Sequence, residues 1–133
     1  MLTDPPVLEY LEQRPMIGIL ELIFRVVPEH TDKQYWQCVV AAFERRGLSN
    51  AEYFYDGAMH RITLKVEPSN FDSSADELEA AVADAGRQYL EEVIPAREAA
   101  AAERAAIEAR ARRDSELIDE KLRERFPGLS AAA

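Results

Sequence analysis

One cysteine, Cys38, and two histidines, His30 and His60, are all that 133 residues offer to soft-metal chemistry. A single thiol excludes an intrachain disulfide and a cysteine-rich zinc site, and it points to a reducing compartment. Five glycines leave little material for a phosphate-cradling loop. No glycine-rich nucleotide motif, HExxH helix or Ser-His-Asp constellation occurs either. The expectation is a non-catalytic protein with no cofactor and no metal. Long apolar runs are also missing: no window approaches about 18 uninterrupted apolar residues, and MLTDPPVLEYLEQR has no basic segment ahead of an apolar one. Neither a membrane span nor a signal peptide is predicted, and a cytoplasmic protein is. Positive charge is short as well. With 25 acidic against 16 basic side chains, a net charge of -9 opposes the phosphate backbone. Nucleic acid is disfavoured as a partner, whereas a basic protein surface is not.

What is present suffices for one modest core, at 47% hydrophobic composition. The reading is a compact α+β domain over residues 1–94, a long Ala/Glu/Arg-rich helix over 95–127 and a flexible tail over 128–133. Asp4, Pro5 and Pro6 ahead of VLEYLEQR read as a capped helix, with Val7, Leu8 and Leu11 facing a core and Pro15 limiting it. MIGILELIFRVV, residues 16–27, reads as a buried strand in which Gly18 marks a bulge or the true start. Thr31 and Gln34 have capping-box spacing for a helix over 32–46. Trp36, Val39, Val40 and Phe43 form its apolar stripe, and Gly47 is its C-terminal cap.

AEYFYDGAMHRITLKVEP reads as a hairpin turning on Asp56-Gly57, with Tyr55 opposite Ala58, Tyr53 opposite His60 and Ala51 opposite Ile62. Phe54 and Met59 are left on its outer side, as a small cluster under the N-terminal helix or part of a contact surface, the first being favoured. Ser74 and Glu77 suggest a second capping box, and Leu78, Val82, Ala85, Tyr89 and Val93 the core face of the helix that follows. The predicted order is α-β-α-β-β-α on a three-stranded sheet of open strand order. A β-α-β unit forms if the first two strands run parallel.

Two clusters inside that domain admit a functional reading beside plain packing. Glu21, Arg25, Tyr53 and His60 can line one concavity as a polar site for a small molecule, although a hydrogen-bonded histidine and a cross-face ion pair explain them more simply. Asp76, Glu79, Asp84 and Glu91 belong to seven carboxylates that share residues 72–92 with Arg87 alone. They can dock a basic partner or mimic nucleic acid, though most such runs are solvated faces. Cys38 falls mid-helix on the apolar side, where burial makes a thiol inert.

The C-terminal stretch is the most distinctive. Ala96–Glu116 holds nine Ala, five Arg, four Glu and one bulky hydrophobe, Ile107. Such a helix forms by propensity, helped by the spacing of Arg104, Glu108, Arg112 and Glu116. Pro95 predicts a kink or restart, and residues 96–126 would then extend about 46 Å and project. Leu117, Ile118, Leu122 and Phe126, continued back through Ile107, make an apolar end that wants a partner. A second copy of the chain, joined as a coiled coil, is preferred to folding back on the sheet. High Ala and Arg fit a bacterial or phage source. The sequence therefore predicts an interaction protein, adaptor or structural, that homodimerises or docks another protein through this helix. An acidic regulator and a small-molecule binding domain or enzyme are the alternatives.

Overall fold

The computed structural model describes residues 7–56 and 59–130, and the chain divides into two compact units, Met1–Ile94 and Pro95–Ala133. In the first unit β1 (Val7–Met16), β2 (Ile19–Val27), α1 (Lys33–Arg45), β3 (Ala51–Asp56) and β4 (Met59–Val66) lead through a 3-10 turn to α2 (Phe71–Gln88) and a π-turn (Tyr89–Val93). The four strands form one antiparallel sheet in the order β1-β2-β4-β3. The α+β class holds, but the sheet has a strand more than expected and the order is β-β-α-β-β-α.

The difference lies at VLEYLEQR, which is β1 and not a helix. Val7, Leu8 and Leu11 suit a helical face and break a period of two, yet pairing with β2 overrides that local pattern and a bulge between Tyr10 and Glu12 absorbs the mismatch. Gly18, at φ +78°, supplies the left-handed residue of a two-residue turn that sets Met16 opposite Ile19. Gly18 thus marks the true start of the strand expected over 16–27. Pro15 ends nothing. It sits opposite Leu20 at a position where its missing N–H faces away from β2, as an edge strand allows. The expected Asp4-Pro5-Pro6 cap lies outside the described residues.

β2 and β3 run in the same direction, each antiparallel to β4, so α1 crosses over in a β-α-β unit split by the intervening strand. The hairpin register differs from expectation by two residues: Tyr53 faces Ile62 and Tyr55 faces His60. A shift of two preserves every face, because side chains alternate with that period. Asp56 pairs with Met59, and Gly57 of the expected Asp56-Gly57 turn lies outside the described residues.

One face of the sheet, with Leu22, Val26, Ile62, Leu64 and Val66, packs against Tyr35, Trp36, Val39, Ala42 and Phe43 of α1 and Leu78, Ala81, Val82 and Ala85 of α2. Asp32, one residue beyond the expected Thr31, caps α1 by accepting the Gln34 amide at 2.9 Å. Gly47 takes φ +65° just past the helix end. α2 begins earlier than Ser74 because Pro68 starts the turn and Glu67 and Asn70 form the reciprocal box. The opposite face of the sheet carries Glu21, Ile23, Arg25, Thr63 and Phe54. There Phe54 shares a shallow recess with Leu11, Ile23 and Arg61. The recess lies under the β1 bulge between Tyr10 and Glu12, and of the two residues expected to cluster there it takes in Phe54 but not Met59, which is exposed.

In the second unit α3 (Ile94–Arg125) is followed by a single turn, α4 (Pro127–Ser130). Residues 131–133 of the expected tail lie outside the described residues. Pro95 brings no amide to the ladder and crowds the preceding turn; the helical ladder widens just there, the Ile94 amide reaching the Tyr89 carbonyl across the π-turn. No helix among the described residues is long and apolar enough to cross a membrane.

Candidate functional site

No residue of α3 is buried along its 32 positions. Ile107, Leu117, Ile118, Leu122 and Phe126 are 45% to 61% exposed. At about 100° per residue, Ile107, Ile118, Leu122 and Phe126 share an arc of roughly 100°, while Leu117 flanks it about 100° away from Ile118. Arg125 reaches across the stripe, its guanidinium 5.9 Å from the Phe126 ring centroid. The expected pairs Arg104–Glu108, Glu108–Arg112 and Arg112–Glu116 form no ion pair among the described residues. Alanine propensity is then the main local support of this helix.

A groove of about 670 Å³ lies between α1 and β3. Alternation along β3 points Tyr53 and Tyr55 to the helix-covered face, and His60 joins them from β4. Trp36 stacks on both Tyr53 and His60, with centroids 4.7 and 4.9 Å apart, and is anchored by donating its indole N–H to the His30 carbonyl at 2.7 Å. The Tyr53 hydroxyl lies 2.6 Å from His60 Nδ1. Burial lowers the His60 pKa and raises that of Tyr53. Both groups are therefore held in their neutral forms across this hydrogen bond. Beside this groove lies a second recess of about 410 Å³, and the two share Val40, Glu44 and Tyr53.

Of the four residues expected around one concavity, the structure brings together Tyr53 and His60 and leaves out Glu21 and Arg25. The latter two project from the other sheet face, where Arg25 bonds Glu9 at 2.8 Å and Glu21 stands opposite Arg14 and Lys65. Parity decides this, since Glu21 and Arg25 are out of phase with Leu22 and Phe24. Sequence reasoning missed Trp36 and Val40 as groove residues by assigning both to the core stripe. The available signal was the recurrence of Lys33, Gln37, Val40 and Glu44 at steps of four, three and four.

Asp76 and Glu79 on α2 and Glu91 in the π-turn are exposed, while Asp84 on α2 is partly buried and held by Arg46 at 2.6 Å and by Arg87. The hydrogen bond from Arg46, foremost, keeps the Asp84 carboxyl below the usual range. Arg46 also reaches Glu77 at 3.4 Å, so this cluster ties the end of α1 to α2. Cys38 is buried, and that burial raises its thiol pKa. His30 stacks on Tyr35 with centroids 3.8 Å apart; its Nε2 and the Tyr35 hydroxyl are buried without a hydrogen-bond partner among the described residues. Among the described residues no three His, Cys, Asp or Glu side chains converge as a metal site. No family model, curated protein or solved structure matches the chain.

Proposed function

We propose that this is a protein-interaction protein, in which the first unit is a rigid platform and α3 docks a helical partner. A second copy of α3 is the first candidate and a helix of another protein the second. The observation that carries this is the row Ile107, Ile118, Leu122 and Phe126, half exposed on a helix with no buried residue. Each such side chain contributes on the order of 1.5–3 kcal/mol when fully removed from water. The partner therefore presents an apolar groove, and pairing is by packing along the stripe.

The molar mass in solution of the full chain, measured beside the Leu122→Asp, Phe126→Asp variant of the full chain, tests this. Loss of an associated species, or of a captured partner, in the variant is the expected result. Identical masses and identical partner binding in the two proteins would overturn the proposal.

A further inference from the structure

β3 is an outer strand of the sheet, and its free edge differs from the edge on β1. The Lys65 amide donates to the Asn50 carbonyl at 2.9 Å, which sets the alternation of the ladder. Glu52, Phe54 and Asp56 exchange bonds with Thr63, Arg61 and Met59, so the N–H and C=O groups of Ala51, Tyr53 and Tyr55 point away from β4. No strand among the described residues pairs with them. The β1 edge carries Pro15 and a bulge, both of which spoil an edge for pairing. β3 has neither.

The side chains beside that edge are complementary to themselves under a two-fold rotation. α1 turns Lys33, Gln37, Val40 and Glu44 toward the groove and the adjoining recess, and all four are exposed. Laid antiparallel to a copy of itself, this row sets Lys33 against Glu44 and Gln37 against Val40. Neither Lys33 nor Glu44 has an ion-pair partner among the described residues. The outward groups of β3, laid antiparallel in the same way, set Tyr53 against Tyr53 and Tyr55 against Ala51. Tyr53 stacks on Trp36 and shares a recess with Val40 and Phe43, so the centre of the strand lies level with the centre of the helix row. Tyr55, 60% exposed, then falls beside the small Ala51 of the copy, over the apolar recess formed there with Phe43 and Leu48.

We propose that a second copy of this chain docks on the α1–β3 side of the first unit. β3 pairs antiparallel with its counterpart about Tyr53, joining two four-stranded sheets into one. Lys33 and Glu44 of the two protomers form reciprocal ion pairs beside the axis. A rim charge pair of this kind sets orientation, while the backbone bonds and Tyr55 supply the contact. The interface is independent of the α3 stripe.

The test uses the full chain carrying Leu122→Asp and Phe126→Asp, which disables the stripe. Sedimentation equilibrium is expected to show a dimer. Lys33→Glu and Glu44→Lys, both at exposed positions that leave the circular dichroism unchanged, are each expected to weaken it on the order of tenfold, since each sets like charges together on both sides of the axis. The double variant Lys33→Glu, Glu44→Lys restores affinity to within about threefold of the parent. In the unmodified chain, amide exchange at Tyr53 and Tyr55 slows as concentration rises. A monomer at every concentration overturns the proposal, including one that binds an extended peptide on the β3 edge. So does a dimer indifferent to either charge reversal.

Discussion

His30 shows how much one residue carries in this fold. Its imidazole lies against Tyr35 and edge-on to Tyr89, whose hydroxyl donates to Asp32 at 2.6 Å. Burial lowers its pKa, opposed only in part by Asp32. A base with a depressed pKa binds fewer protons folded than unfolded, so stability rises with pH between the folded value and 6.5, the ordinary one, and falls as pH drops through that window. His60 has the same sign. Urea midpoints should therefore decrease from about pH 7.5 to about pH 5, and His30→Gln should flatten that dependence. A midpoint that rises on acidification in this range would contradict the assignment of buried neutral imidazoles. The sequence placed His60 opposite Tyr53 but gave no sign that His30 is buried. Its burial depends on Tyr35 and Tyr89, which stand far apart in the chain, and no local pattern reports that.

Among the elements, β2 is a strand with buried residues on both faces. Leu22 and Val26 belong to the helix-covered core, while Ile23, on the other face, is only 3% exposed under the β1 bulge. Ile23→Ala should cost roughly 2–5 kcal/mol by chemical denaturation, as a buried position does. A cost under ~0.5 kcal/mol, typical of a surface site, would show that the recess holds no packed cluster. That MIGILELIFRVV forms a buried strand was legible in the sequence. What covers it was not legible. VLEYLEQR, with apolar residues at 7, 8, 10 and 11, suits helical spacing better than alternation, and it becomes a strand only through the Gly18 turn, the pairing with β2 and a bulge at Leu11. The long helices were the clearest elements to read, because Ala-rich propensity and four-three-four spacing are local properties.

For the whole molecule, every residue of the buried core lies between Leu22 and Tyr89. A chain ending at Ile94 should therefore unfold in one cooperative transition, with a denaturant slope close to that of the full protein, since α3 exposes little new surface on melting. A truncated chain without such a transition would show that α3 contributes to the core. The two proposed contacts belong to different units and predict different losses: removing α3 abolishes pairing by its stripe and leaves pairing through β3 intact.

By itself the sequence determined the α+β class, the presence of the two core helices, the hairpin faces, the acidic balance and the long C-terminal helix. All of these follow from spacing, turn chemistry and composition within a few residues of one another. The tertiary structure alone decided that the chain's first described segment is a strand, that β4 separates β2 from β3, that Glu21 and Arg25 face away from Tyr53 and His60, and that Trp36 and Val40 meet a groove. Each of those turns on which distant strand is paired and in what register, and pairing is settled by the free energy of the assembled core rather than by any stretch of chain taken alone.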